Sequence, residues 1–233
     1  MDLKITDAIV AKMNDKDSKK PRFRELYEKH DFLEAYSRHT DLRVKDNPKG
    51  AIGREDEWES HGKLQLKFLM DEGMRPHHRL LDVGCGVGRA SRRFVPYLND
   101  SNYVGVDISP AALEHARGLA TMEGWDKKSP TFLINGDLNL DGPFDFIWAH
   151  SVFTHLPPQQ IAIMIANAAT LLPVGGKFCF TFKHADKPQR SGVKQFQMPP
   201  SFFADCAKPH GFKCEALSLV WPAHQRTIRL TKQ

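Results

Sequence analysis

From Arg79 to Phe182 two kinds of pattern alternate along the chain. Short apolar runs, "RLLDV" (79–83), "YVGVDI" (103–108), "TFLING" (131–136), "FDFIWAH" (144–150) and "KFCFTF" (177–182), are separated by longer stretches with helically spaced apolar residues. The run from Gly88 to Tyr97 reads as a helix shortened or kinked by Pro96. Ser109 followed by Pro110 is an N-cap and first-turn pair, and Ala112, Leu113, Ala116 and Leu119 give the helix after them an inner face. "PPQQIAIMIANAATLL" (157–172) repeats the pattern and is stopped by Pro173 and Gly175-Gly176. Strands and helices alternating at this spacing predict a parallel sheet with helices on both faces. The tail differs: a helix around 200–209 precedes "FKCEALSLV" and "HQRTIRL", joined by a short "WPA" connection that implies an antiparallel pair. The expected fold class is therefore α/β, an open, mostly parallel sheet with an antiparallel C-terminal edge.

The N-terminal third reads as helical. A short helix candidate is followed by the polar break "NDKDSKKPR" (14–22). One or two stripes then run from Phe23 to Arg38, "DNPKG" (46–50) is a turn, and a further helix spans about Glu55 to Glu72, ended by Gly73. We divide the chain into a helical cap, 1–75, and a sheet domain, 76–233. With 233 residues, 41% hydrophobic, one sizeable core is expected. The net charge of +5 is dispersed rather than striped, which argues against nucleic acid as a partner. Cys85, Cys179, Cys206 and Cys214 form no CxxC pair and show no zinc spacing, which fits a reduced cytoplasm. The charged N-terminus has no signal-type apolar run, and no stretch approaches the ~20 apolar residues of a membrane span. Neither a membrane nor a metal is an expected partner, and a monomer or homodimer is expected.

The first strand runs into glycines at 84, 86 and 88. Either the backbone needs unusual dihedrals there or something approaches it closely. In such sheets ligands bind at the carboxyl ends of the strands, where the strand order reverses. A G-x-G-x-x-G bend would suggest a dinucleotide, whose pyrophosphate sits on the following helix end. Here the spacing is G-x-G-x-G, and Asp82 stands two residues before the first glycine. A carboxylate there repels pyrophosphate and favours an ammonium or sulfonium group. Asp107 ends the second strand, roughly 20 residues on, the usual place for a carboxylate that grips ribose hydroxyls. Ile108 is positioned for a purine face and Asp137 for an adenine amino group. Three acids at three strand ends suit a neutral-to-cationic nucleoside.

In order and spacing, "LLDVGCGVG", "VGVDIS", "NGD", "FDFIWAHSVFTHLP" and "LLPVGGKFCFTF" resemble the class I S-adenosylmethionine-dependent methyltransferases, small-molecule type. The resemblance covers about Arg79 to Phe182. It implies a Rossmann-like seven-stranded sheet with the last strand antiparallel, and S-adenosyl-L-methionine as cofactor. It also implies that Gly84, Cys85, Gly86 and Gly88 pass under the methionine part and that Asp82 faces its amino group. Asp107 and Ile108 then hold the ribose and purine, and Asp137 with Leu138 meets the adenine.

After the fourth strand, His150 is expected beside the cofactor, and His155 either acts on the acceptor or fixes its loop. No N/D-P-P-Y/F tetrad and no Pro-Cys nucleophile is present, so a small molecule is favoured over nucleic acid as substrate. Lys183, with His184 and Arg190, either meets an acidic substrate or is simply solvated. In the cap, Tyr27, Tyr36, Trp58 and His61 either line the pocket or pack the cap onto the sheet. The expected reaction is methylation of oxygen or nitrogen on a small metabolite. Two alternatives use the same cofactor site: cyclisation or alkyl transfer that releases methylthioadenosine, and a non-catalytic binding module.

Overall fold

The computed structural model describes residues 21–233, and the helix expected before residue 14 lies outside them. Five strands run parallel: β1 (Leu80–Val83), β2 (Tyr103–Asp107), β3 (Thr131–Ile134), β4 (Phe146–Ala149) and β5 (Lys177–Lys183). A two-stranded ribbon follows, β6 (Gln189–Ser191) and β7 (Gln195–Gln197), which the sequence pattern did not suggest. The long strands β8 (Phe212–Trp221) and β9 (Gln225–Lys232) complete the main sheet, β9 antiparallel to both β5 and β8. The seven-stranded order is β3-β2-β1-β4-β5-β9-β8. The chain leaves β1 toward one edge and returns to its other side with β4, so the strand order reverses at the carboxyl ends of β1 and β4.

Burial follows strand position. Every residue of β1 and β4 is buried, as expected for central strands covered on both faces, whereas the edge strands β3 and β8 are partly exposed. Leu81, Val83, Ile147 and Ala149 face one core with Ile161, Ile165 and Ala168, while Leu80, Trp148 and Cys179 face the other. Strand β3 stops at Ile134, short of the expected Gly136. There the Asn135 side-chain oxygen accepts from the N–H groups of Asp137 (3.2 Å) and Leu138 (2.7 Å) and turns the chain.

The helices, in order, are α1 (Pro21–Lys29), α2 (Phe32–Asp46), the single turn α3 (Pro48–Ala51), α4 (Trp58–Asp71), α5 (Ser91–Tyr97), α6 (Pro110–Glu123), α7 (Pro158–Leu171) and α8 (Pro200–Ala207). The segment 23–38 splits in two because Asp31 accepts from Glu34 N–H (3.0 Å) and starts a new helix. The expected turn at 46–50 is a corner between helices, where Asn47 ends α2 and its side chain caps α3. Helix α5 begins at Ser91 rather than Gly88, whose φ of +91° is incompatible with an α-helix, and Pro96 falls in its last turn. Phe68 and Leu69 of α4 pack with Leu80 and Trp148, so this helix belongs to the layer on the sheet. Among the described residues no helix is long and apolar enough to cross a membrane.

Helix α2 is tied to the start of α6. Asp41 Oδ1 accepts from Ser109 Oγ (2.5 Å) and from Ala111 N–H (3.2 Å), and Ser37 Oγ donates to the Ile108 carbonyl (2.6 Å). Ser109 Oγ in turn accepts from Ala112 N–H (3.1 Å), the N-cap bond read from the sequence. Ser109→Ala removes the cap and leaves Asp41 short of a partner, so we expect a loss of about 1–2 kcal/mol in urea unfolding.

Candidate active site

The bend after β1 needs glycine for both reasons the sequence left open. Gly84 has φ +66°, and a Cβ added there would lie 2.4 Å from Val152 Cγ2. Gly86 has φ +57°, with Ile52 Cγ2 3.2 Å from an added Cβ. Left-handed backbone and close approach both exclude larger side chains. The bend is pinned to β2. Gly84 and Cys85 N–H groups donate to the Val106 carbonyl (2.8 and 3.0 Å), and Gly86 N–H donates to Asp107 Oδ2 (2.9 Å). Asp107 Oδ1 accepts from Ser109 N–H (2.9 Å). Each of its oxygens has a further lone-pair position for a ligand.

Asp82 is 3% exposed, and its Oδ2 accepts from the Tyr103 hydroxyl (2.7 Å), which in turn is bonded to Ser91 Oγ (2.7 Å). Strand register makes this possible. Asp82 is paired with Gly105, and a side chain there would collide with the Tyr103 oxygen, 2.9 Å from an added Cβ. Burial pushes the Asp82 carboxyl up to about 7; the Tyr103 bond opposes the rise, the nearby Asp107 charge adds to it, and Arg89 opposes it.

A cavity of about 480 Å³ opens across the carboxyl ends of the strands, a size suited to a small ligand. Asp82, Gly84, Cys85, Gly86, Asp107 and Ile108 line it, as do His150, His155, Tyr36 and Lys183. Burial keeps the Cys85 thiol protonated well above its ordinary range. His150 lies against Trp148 (ring centroids 5.8 Å) and Trp221 (4.8 Å), and burial, then Arg89 and His61, hold it neutral. His155 stands 5.6 Å from the Tyr36 ring, and its Nδ1 lies 3.0 Å from the Lys194 carbonyl. A carbonyl only accepts, so Nδ1 carries the proton and Nε2 is left as an acceptor. Burial, then the Lys194 charge, pushes His155 down to about 3, so it is neutral at physiological pH. Burial also pushes the Tyr36 hydroxyl up, with Asp107 adding to the rise. Lys183 Nζ donates to Gln195 Oε1 (2.9 Å) on the β6–β7 ribbon.

Other expected positions lie off the cavity. Asp137 caps the next turn, its Oδ1 accepting from Asn139 N–H (2.9 Å), and Leu138 is 1% exposed in the apolar core. Asn135 and Gly136 form the wall there instead. Gly88 packs against Ala116 and Leu119 of α6. Trp58 is buried with Val44, Val87 and Ala112, under the Lys49 ammonium (5.6 Å). Tyr27 faces His39 (3.4 Å). His61 does not line the cavity but lies behind His150, ring centroids 5.6 Å apart. Residues not singled out from the sequence also contribute: Arg43, Arg89 and Lys194 line the cavity, and Gln65, 2% exposed, accepts from Trp148 Nε1 (2.9 Å) at its base. Arg89, directly after the glycines, carried a usable signal. Lys194 carried none, since its loop looked merely basic.

The reversed strand order, the antiparallel β9 and the glycine bend beside two strand-end acids define a Rossmann-like methyltransferase fold. Residues 81–178 match the family described as "Methyltransferase domain", over the same stretch that carries the resemblance to class I S-adenosylmethionine-dependent methyltransferases. Malonyl-[acyl-carrier protein] O-methyltransferase of Legionella pneumophila is 36% identical over 107 residues, 44% of this chain and 35% of that protein. A probable chloroplastic tocopherol O-methyltransferase of rice is 29% identical over 100 residues, 42% of this chain and 27% of that one. Across such curated relatives the match spans only 24% to 37% of their length. Magnesium protoporphyrin IX methyltransferase of Synechocystis, solved with bound S-adenosylhomocysteine, superposes with a TM-score of 0.69 at 18% identity, covering 87% of this chain and 100% of that one. The residues present fit the family's cofactor. The glycine backbone at 84 and 86 borders the cavity together with two acids, one buried and one at the end of β2.

Proposed function

We propose that this chain transfers a methyl group from S-adenosylmethionine to an oxygen or nitrogen of a small, anionic acceptor. The observation that carries this reading is the single cavity joining the bend and its acids to the wall of Tyr36, His155, Lys183 and Lys194. When bound, the cofactor supplies an electrophilic methyl carbon on a sulfonium sulfur. Asp82 faces its ammonium group, Asp107 takes the ribose hydroxyls and Ile108 lies against the purine. Lys183 and Lys194 line the cavity together with Tyr36 and His155, and this placement supports an anionic acceptor. Helix α2 acts as the cap: it roofs the cavity with Tyr36 and Thr40, excludes water and selects the acceptor. His155 Nε2 accepts the O–H or N–H of the acceptor and takes its proton as the heteroatom gains its methyl group.

The test is mass spectrometry of products from S-adenosylmethionine with a panel of carboxylate- and phenolate-bearing small molecules. S-adenosylhomocysteine formed together with a methylated acceptor is the expected outcome. Methylthioadenosine formed with no acceptor present would replace this reading with cyclisation or alkyl transfer.

A pH dependence follows from Asp82. Its carboxyl titrates near 7 without ligand, and only the ionised form attracts an ammonium group. Below pH 7 a proton must therefore leave on binding, and S-adenosylhomocysteine affinity is expected to fall by up to about tenfold per pH unit. Calorimetry between pH 5.5 and 8.5 reads this slope, and Asp82→Asn should flatten it.

A further inference from the structure

Arg89 is 8% exposed and lines the cavity, yet its guanidinium makes one hydrogen bond, from Nη1 to the Ile52 carbonyl (3.2 Å). Its Nε is buried without a partner, and among the described residues no carboxylate lies within 4.0 Å of it. An arginine has five N–H donors in a planar fork, and a buried one normally has its charge matched. Around it stand His61, both of whose ring nitrogens are buried and unbonded, and His150, whose Nδ1 is in the same state. Burial and the Arg89 charge lower the proton affinity of both imidazoles, so they add N–H dipoles rather than a competing charge. Asp82, and after it Glu57, are near enough to act on Arg89 electrostatically, without a contact. A buried guanidinium short of an anion and a buried carboxylate thus share one wall of the cavity.

We propose that Arg89 is the carboxylate-binding residue of this site, pairing with the α-carboxylate of a ligand whose ammonium group meets Asp82. The pair reads an amino-acid zwitterion: a cation at Asp82 and, within the same ligand, an anion at Arg89. This rests on the assignment of S-adenosylmethionine as cofactor and extends it, since nothing in the glycine bend or Asp107 distinguishes a ligand with a carboxylate from one without. It also removes Arg89 from the groups available to an anionic acceptor and leaves that task to the opposite wall.

The experiment is calorimetry with two probes, S-adenosylhomocysteine and its decarboxylated analogue, S-adenosyl-3-thiopropylamine. A buried charge-assisted contact predicts that the full-length chain binds the first about 30- to 100-fold more tightly than the second. Arg89→Gln should weaken S-adenosylhomocysteine by a similar factor and change the amine analogue less than threefold. Arg89→Lys, which keeps the charge and loses the fork, should retain part of the discrimination, and far-ultraviolet circular dichroism verifies that each variant is folded. Equal weakening of both probes in a folded Arg89→Gln chain, or no preference in the parent, would overturn the assignment while leaving the cofactor intact. Binding of neither probe by the parent would overturn the cofactor reading and this one with it.

Discussion

Asp107→Ala is expected to raise the dissociation constant of S-adenosylhomocysteine by about 10²- to 10⁴-fold. Hydrogen bonds to a charged group contribute about 1.5–3 kcal/mol each, and a ribose offers two hydroxyls to this carboxylate. The loss extends beyond the ligand contacts. Asp107 holds Gly86 N–H on one oxygen and Ser109 N–H on the other, so it fixes both the bend and the entry to α6. Removing it frees the bend to relax before the ligand arrives. Ser109→Ala separates the two effects, because it weakens the α6 cap and keeps the backbone N–H and the carboxylate. Its affinity should remain within threefold of the parent. Calorimetry on the two variants checks both numbers, and an Asp107→Ala affinity within tenfold of the parent would mean that the ribose is held elsewhere.

How much of this was legible in the sequence depended on whether a residue's role is local. The parallel strands were readable because β1, β2, β4 and β5 are buried on both faces and so are spelled as continuous apolar runs. The Ser109-Pro110 cap is a local code and appears as read. Local readings failed where a side chain bonds its own turn. Asn135 curls the chain after β3, and Asp137 is drawn into the next turn rather than toward the cavity. Trp58 reads equally as a pocket aromatic because a stripe on a helix does not say which neighbour covers it; Val87 and Ala112 do. Tyr103 was invisible for a related reason. Its bond to Asp82 depends on strand register and on the missing side chain at Gly105, and neither shows until the strands are paired. Lys194 reaches the site on a ribbon whose existence rests on three-residue strands, too short for a period to be seen.

His155 presents the sharpest choice between chemistry and scaffolding, because its two ring nitrogens do different things. Nδ1–H donates to the Lys194 carbonyl and so ties the loop after β4 to the β6–β7 ribbon, while Nε2 is the atom available to an acceptor. Asparagine can reproduce a donor at the Nδ1 position but has nothing at Nε2. If the proton is taken at Nε2, His155→Asn and His155→Ala should lower kcat alike, by about 10²-fold, the low end of the range for a lost general base, because a ring held down to about 3 is a weak one. S-adenosylhomocysteine affinity should stay within threefold of the parent in both, since Asp82, Asp107 and the bend are untouched. If the ring serves only the loop, His155→Asn should work nearly as well as the parent and His155→Ala should lose stability and activity together. The pH profile gives an independent reading. An ordinary histidine base would bring kcat down as the pH drops through 6.5, but burial and Lys194 hold His155 neutral to about 3. Its contribution is therefore expected to be flat from pH 5 to 8, and a kcat falling tenfold per unit below 6.5 would show a different group taking the proton.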